Sequence, residues 1–138
     1  MKLLNILTVP VKLSFVKPVH AHCDLPCGVY DPAQAKIEAQ SIKGIMDKMA
    51  AGLDEHNTVR AIIIKEERAE LVKHHLMVLW ADYFKPEHLE KYPDLHTKFW
   101  TAIKLASDCK HHSDGQSAEK LLEAIDEIAE IFWETKKA

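Results

Sequence analysis

The sequence predicts an all-α fold, an antiparallel up-down four-helix bundle preceded by a short segment that contains two cysteines. Three observations lead to this prediction. Apolar residues recur at three- and four-residue spacing in four segments, short breaks rich in Pro, Gly and Asp separate those segments, and no stretch alternates with the period of two that a β-strand requires. The chain has 138 residues, 47% of them hydrophobic, which is enough for one domain with a core of ordinary size.

The first two helices are expected between residue 31 and residue 86. Asp31 can cap the first helix with Pro32 at its first position, and Gly52 ends it. Asp54 can cap a second, long helix that Pro86 stops. The apolar positions that define these helices are Ile37, Ile42, Ile45, Met46 and Met49 in the first, and Val59, Ile62, Ile63, Leu71, Val72, Leu76, Leu79, Trp80 and Tyr83 in the second.

The remaining helices follow a short helical turn that is expected over residues 86–92. Pro93 opens the third helix, and the run Ser113, Asp114, Gly115 breaks it. The fourth helix then extends through Phe132. The apolar positions are Leu95, Phe99, Ala102, Ile103 and Ala106 in the third helix, and Ala118, Leu121, Leu122, Ile125, Ile128, Ala129 and Phe132 in the fourth. Trp80, Phe99, Phe132 and Trp133 are most simply aromatics of the core or of a subunit interface.

Composition excludes several functional classes. Eighteen Lys and Arg against 21 Asp and Glu give a net charge of −3, and no basic block with interleaved aromatics occurs, so no nucleic-acid partner is expected. No membrane span is indicated. The three cysteines do not form an even-numbered disulfide framework, and they fit a reducing compartment or a metal better.

Residues 1–21 are predicted to be a removable leader, and residues 22–138 the functional domain. The leader resembles a signal peptide in Lys2 and the apolar residues after it, and Ala21 suits a cleavage site. Asn5 and Pro10 interrupt the apolar region, so a cytoplasmic location is the expectation, with export as the alternative. Cleavage after Ala21 would make His22 the new N-terminus.

The segment HCDLPCGVY, residues 22–30, carries the most specific chemistry of the chain. A carboxylate di-iron site in the bundle would need Glu-x-x-His on two helices, and no Glu-x-x-His occurs. In HCDLPCGVY, Pro26 prevents a helix and Gly28 permits a reversal, so the thiols of Cys23 and Cys27 can meet in a hook. One histidine beside two thiols leaves a tetrahedral zinc site without a fourth ligand.

Cleavage after Ala21 would supply the missing ligand. The new amine of His22, the deprotonated amide of Cys23 and the two thiolates can then surround a metal in a plane, with the His22 imidazole above it. A planar set of two nitrogens and two sulfurs suits Ni(II) or Cu(II) and not zinc. The axial nitrogen favours Ni(III), so these residues describe a redox metal site in an N-terminal metal-binding hook.

With this motif, the chain resembles the nickel-containing superoxide dismutases in their precursor form. The processed chains of that family begin His-Cys-x-x-Pro-Cys-Gly-x-Tyr, and HCDLPCGVY matches every fixed position. The resemblance covers residues 22–138 and includes ADYFKPEHLEKYPDLH and the closing IFWETKK. It implies a homohexamer of four-helix bundles in which each hook holds one nickel ion and superoxide is converted to dioxygen and hydrogen peroxide.

The resemblance also implies roles for individual residues. Nickel would be bound by His22, Cys23 and Cys27, while Asp24 and Tyr30 would line the substrate approach, with Tyr30 as its gate. Glu38 and Arg68 would hold the imidazole, although taken alone they look like solvated helix-face charges. Tyr83 and Lys85 are weaker candidates for the mouth of the site, and Lys85 would attract the anionic substrate. A maturation protease and a nickel-delivery protein are the implied partners.

Two alternatives accompany this hypothesis. Without cleavage, Cys23 and Cys27 would form a metal-carrier site or a reversible disulfide. The pairs His74-His75 and His111-His112, the latter near Cys109, suggest zinc, but adjacent helical side chains diverge by about 100° and do not easily share an ion. We interpret these histidines as surface residues, and the sequence gives no role for Cys109.

Overall fold

The computed structural model describes residues 28–137, which fold into helices without a β-strand. The predicted all-α class is confirmed, and all four long helices and the short one are present. The helices are α1 (Ala33–Ala51), α2 (Glu55–Val78), α3 (Pro86–Lys91), α4 (Leu95–His111) and α5 (Gly115–Lys137), and a turn of π-helix, Leu79–Tyr83, continues α2. None of these helices is long and apolar enough to cross a membrane.

Local hydrogen bonds explain where the helices begin and end. The Asp31 carboxylate accepts a hydrogen bond from the backbone N–H of Ala33 at 2.8 Å, and Asp54 accepts one from the N–H of Asn57 at 2.9 Å. Gly52 ends α1 with a φ of 98°, a left-handed conformation that favours glycine. Asp54 and Gly52 therefore act as predicted, whereas α1 begins one residue later than predicted, with Pro32 rather than Asp31 at its N-cap.

The four long helices form the predicted antiparallel bundle. Each packs on two neighbours, in the order α1, α2, α4, α5 and back to α1. Lys36 near the start of α1 pairs with Asp126 in the middle of α5 at 2.5 Å. Further along α1, Lys43 contacts Glu119, which lies earlier in α5, at 3.5 Å. The two helices therefore run in opposite directions.

The core lies on the axis of the bundle, and part of the predicted apolar face of α1 and α2 lies outside it. Ile37, Val59, Ile62 and Ile63 were expected in the apolar stripes, but 39–58% of each is exposed. In α2 the buried stripe includes Val72 and Leu76, as predicted, and it continues toward the start of the helix through Ala69 and Lys65. The buried residues of α2 are Lys65, Ala69, Val72 and Leu76.

The π-helical turn at the end of α2 was not predicted. It is closed by the N–H of Phe84, which donates to the carbonyl of Leu79 at 3.1 Å, one residue further back than in an α-helix. After this turn the chain becomes extended at Phe84 and Lys85 and enters α3. Such turns are frequent at functional sites, and this one places Tyr83 at the end of the bundle to which residues 28–30 lead.

Candidate functional site

The described part of the predicted hook consists of residues 28–30. His22, Cys23, Asp24 and Cys27 lie outside the described residues, so their predicted roles stay predictions. Gly28 has a φ of 73°, the left-handed conformation that the expected reversal of the chain needs. Residue 28 is exposed, and two residues later the chain enters the end of the bundle, where Tyr30 is half-buried.

A pocket of about 340 Å³ lies where residues 28–30 meet the bundle. Three predicted site residues, Tyr30, Tyr83 and Lys85, take part in its wall, so the structure brings together side chains that are far apart in sequence. The wall is formed by Gly28, Tyr30, Asp82, Tyr83, Lys85, His88, Thr135 and Lys136. The pocket is therefore built from the hook, from the π-helical turn with α3, and from the last turn of α5.

Tyr30 and Tyr83 form the aromatic part of the pocket wall. Their ring centroids lie 5.6 Å apart with a tilt of 54°. The Tyr83 ring also packs on Phe132 at 4.4 Å and stacks on His88 at 5.8 Å. Aromatic contacts of this kind stabilise by about 0.5–1.5 kcal/mol each beyond the area that they bury. Tyr83 is thus held on several sides, and it packs against Tyr30, the last residue of the hook.

Hydrogen bonds connect Tyr83 to the last turn of α5. The hydroxyl of Tyr83 lies 2.6 Å from the Thr135 hydroxyl, which donates to the backbone carbonyl of Phe132 at 2.7 Å. On the other side, the backbone N–H of Lys85 donates to Nδ1 of His88 at 3.2 Å. An imidazole that accepts at Nδ1 carries its proton at Nε2 when it is neutral. These bonds fix the wall on both sides of Tyr83.

The charge of the pocket is mixed, with more cationic than anionic groups. Lys85 and Lys136 contribute two ammonium groups to the wall, and Asp82 contributes one carboxylate. The chain as a whole is negative, with a net charge of −3. A local excess of positive charge on a negative protein attracts small anions toward this end of the bundle.

Glu38 and Arg68 meet as the resemblance suggested. Nη1 of Arg68 lies 3.1 Å from Oε2 of Glu38, joining α1 to α2. The Glu38 side chain is only 16% exposed and that of Arg68 is 35% exposed. The description of Glu38 as a solvated helix-face charge is therefore wrong, because the carboxylate lies between two packed helices. A half-buried pair of this kind presents a fixed hydrogen-bonding edge, which is what an imidazole needs for orientation.

The histidines and the third cysteine outside the hook do not assemble a second centre. Within residues 28–137, no three or more His, Cys, Asp or Glu side chains are placed to share a metal ion. His111 and His112 are exposed as expected, whereas His74 and His75 are half-buried with ring centroids 5.4 Å apart. Cys109 is fully buried, and burial raises the pKa of its thiol.

Sequence reasoning missed His88, Thr135 and Lys136 as parts of the site. His88 and the last turn of α5 belong to segments that the family resemblance covers, ADYFKPEHLEKYPDLH and IFWETKK, and this was the available signal. Nothing in residue spacing connects position 28 with position 136, because only the packed bundle brings them together. Local patterns predict elements more readily than they predict such distant contacts.

Comparisons with known proteins agree with this geometry. The sequence model of the family described as nickel-containing superoxide dismutase matches residues 17–136. The superoxide dismutase [Ni] of Streptomyces seoulensis is 61% identical over 120 residues, which cover 87% of this chain and 92% of the relative. The superoxide dismutase [Ni] of Streptomyces coelicolor is 58% identical over the same length and coverage.

Solved structures give the same result. A crystal structure of a Ni-containing superoxide dismutase with nickel ligation corresponding to the oxidized state superposes with a TM-score of 0.83 at 61% identity, covering 85% of this chain and all of that one. A native nickel superoxide dismutase structure has the same TM-score and coverage at 57% identity. The chain therefore belongs to the nickel-containing superoxide dismutase family, and it is an oxidoreductase that uses nickel as its cofactor.

Proposed function

We propose that the mature chain begins at His22, after removal of residues 1–21, and that it dismutates superoxide at a nickel ion held by the hook. The ligands would be the amine and imidazole of His22, the amide nitrogen and thiolate of Cys23, and the thiolate of Cys27. Residues 22–138 are then the functional domain. The position of Gly28 and Tyr30 in the wall of a pocket with an excess of cationic groups, directly after this donor set, carries the proposal.

The chemistry of the donor set fits nickel. Two thiolates and two strong nitrogen donors in one short segment favour a planar arrangement, which Ni(II) prefers and zinc does not. When bound there, nickel would supply one-electron redox chemistry by alternating between Ni(II) and Ni(III). The described residues around the hook contain no competing cluster of metal ligands, which supports the hook as the nickel site.

The protein's own side chains would orient the ligands and the substrate. The Glu38–Arg68 pair would hold the His22 imidazole in one orientation while leaving it able to move. Lys85 and Lys136 would draw the superoxide anion toward the hook. Asp24 and Tyr30 would line the approach, with the Tyr30 hydroxyl as a hydrogen-bond donor to the anion and as a gate at the mouth. Dismutation consumes one proton for each superoxide, so a phenol that can donate a hydrogen bond at the entrance, Tyr30, suits the reaction.

Assembly and maturation belong to the same proposal. We infer a homohexamer, a protease that cuts after Ala21, a protein that delivers nickel, and a cytoplasmic location. An exposed aliphatic stripe on α2, formed by Val59, Ile62 and Ile63, supports the assembly, because 39–54% of each side chain is in contact with solvent in the single chain. Buried against another subunit, such side chains would contribute favourably.

The terminal amine gives the sharpest test. We would compare the full chain, a chain that begins at His22, and a matched control that keeps the single extra residue Ala21. Only the chain that begins at His22 is expected to bind nickel tightly and dismutate superoxide. The other two should lose at least about 100-fold in activity, because a direct ligand contributes more than hydrogen-bonding partners whose loss costs about 10–100-fold. Nickel content by mass spectrometry and superoxide decay by stopped flow measure this.

Equal activity of all three chains would refute the role of the amine. It would favour the alternative in which Cys23 and Cys27 act as a carrier site or as a reversible disulfide. Mass spectrometry of the protein from its native host provides the second measurement, since a mature chain that begins before His22 would contradict cleavage after Ala21.

A further inference from the structure

We propose that the last turn of α5 is a positioning element for the hook, in which Lys136 holds the carbonyl of Gly28 and Thr135 fixes the direction in which the Tyr83 hydroxyl donates. The inference rests on the proposed function, since the hook matters as the holder of nickel. It assigns a role to two residues at the opposite end of the sequence from the hook.

The Lys136 side chain extends past the rings of Tyr83 and Phe132 to Gly28 of the hook. Its Nζ lies 5.1 Å from the centroid of the Tyr83 ring and 5.5 Å from that of Phe132, within the range of cation–π attraction. From there it donates a hydrogen bond to the carbonyl oxygen of Gly28 at 3.4 Å. The two rings therefore hold the ammonium group where it can restrain the residue that directly follows Cys27.

The neighbouring Lys137 provides a natural comparison. It is also exposed, but it contributes to a different groove with Asp126, Glu130 and Trp133 on another side of α5. The two lysines have the same chemistry and almost the same position in the sequence. The difference between them lies only in the direction in which the helix presents each side chain.

Thr135 determines the hydrogen-bond direction at Tyr83. A threonine hydroxyl has one hydrogen, and that of Thr135 is donated to the carbonyl of Phe132, which can only accept. The Thr135 oxygen must then accept from Tyr83 in the 2.6 Å contact between the two hydroxyls. The Tyr83 oxygen consequently offers only its lone pairs to the pocket, and it can accept a hydrogen bond there but not donate one.

The first experiment compares Lys136→Met with Lys137→Met in the nickel-loaded protein that begins at His22. The rate of nickel loss to excess chelator is expected to rise about tenfold in K136M and to stay unchanged in K137M. Loss of a residue that supports a metal ligand typically costs about 10–100-fold in metal affinity, and the lower end of that range is expected here. Hydrogen exchange of residues 28–31 should also accelerate in K136M alone. Lys136→Arg, which keeps the cation and the donor, should restore both values.

The positioning role of Lys136 would be refuted if K136M released nickel, and exchanged the amide hydrogens of residues 28–31, at the rates of the wild type. Failure of the proposed function would look different, because the wild-type chain beginning at His22 would then bind no nickel at all. Hydrogen exchange of residues 28–31, compared between K136M and K137M, would still test the contact between Lys136 and Gly28 in a protein without nickel.

The second experiment asks whether Thr135 acts through Tyr83. Thr135→Val removes the acceptor, whereas Thr135→Ser keeps it, so only the valine variant should lower kcat/KM, by about tenfold. In a double-mutant cycle with Tyr83→Phe, adding Thr135→Val should have no further effect, because the hydroxyl that it orients is already absent. Additive losses, or a serine variant as impaired as the valine variant, would refute the positioning role.

Discussion

Tyr83 is the residue on which the wall of the pocket converges. Its ring lies between Tyr30, Phe132 and His88, and its hydroxyl contacts Thr135. These four contacts come from three elements, so the orientation of one phenol depends on the hook, on α3 and on α5 together. The orientation of the Tyr83 side chain therefore depends on the correct packing of all three elements.

Cys109, unlike Tyr83, lies outside the pocket, and the fold keeps its thiol unreactive. It is fully buried in α4, and burial raises the pKa of its thiol above the usual 9.0. Since the thiolate is the nucleophile and the metal ligand, the folded protein keeps Cys109 in its unreactive form. The two cysteines of the hook are then the remaining candidates for metal chemistry.

The raised pKa of Cys109 predicts a dependence of stability on pH. Above the pKa of the unfolded chain, the unfolded thiol releases a proton that the folded thiol retains, so the stabilising contribution of Cys109 is complete below that pKa and falls as the pH rises. The difference in free energy of unfolding between the wild type and Cys109→Ala should therefore shrink between about pH 7 and about pH 10. Urea unfolding at the two pH values measures it, and a constant difference would contradict the shifted pKa.

At the scale of elements, Lys65 joins α2 to the end of α4. Its side chain is 2% exposed, and its Nζ donates to the carbonyls of Cys109, Lys110 and His112 at 2.6, 3.0 and 2.8 Å. The last carbonyls of a helix have no partner within the helix, and they carry its negative dipole end. One buried cation thus satisfies three acceptors, although burial lowers the pKa of its ammonium group.

Replacing Lys65 with Met should destabilise the protein by about 2–4 kcal/mol, because three acceptors in the interior lose their charged donor while the volume is kept. The matched control is Lys73→Met in the same helix, where the lysine pairs with Glu70 at 3.5 Å on the surface. That substitution should cost less than about 0.5 kcal/mol. Urea unfolding followed by circular dichroism compares the two, and equal losses would show that the carbonyls find other partners.

The helices could be predicted from local sequence patterns, but the π-helical turn after α2 and the contact between α2 and α4 could not. Asp31, Gly52 and Asp54 mark helix ends through bonds to their near neighbours, so the sequence alone locates α1 and the start of α2. The π-helical turn differs from an α-helix by one residue in the spacing of its hydrogen bonds, and no local pattern in the sequence indicated that change. The burial of Lys65 likewise depends on acceptors that α4 supplies from a distant part of the chain.

At the scale of the whole molecule, the single chain leaves aliphatic surface exposed on α2. Val59, Ile62 and Ile63 follow the i, i+3, i+4 spacing that a core stripe would have, and this is why periodicity placed them with the core. A core and a subunit interface have the same hydrophobic pattern, so sequence cannot distinguish them. The pocket was also beyond prediction, since its wall combines residues from both ends of the described chain.

The proposed hexamer makes this surface testable. Light scattering of the wild type should give the mass of six chains. Ile63→Lys places a charge on the α2 stripe and should shift the mass toward smaller species, because burying an unpaired ammonium is costly. Gln116→Lys, at an exposed position of α5, is the control and should leave the mass unchanged. A monomeric wild type would contradict the hexamer, and a hexameric I63K protein would exclude this stripe as its interface.

The contact between Lys136 and Gly28 has a consequence for biosynthesis. Gly28, at the beginning of the described chain, is bonded to Lys136 at the end of α5. The whole of α5 must therefore leave the ribosome before the pocket wall is complete. A nascent or truncated polypeptide that lacks the end of this helix has neither the ammonium group nor the Thr135 hydroxyl of the finished wall. The fold thereby delays completion of the pocket wall until the end of α5 has been synthesised.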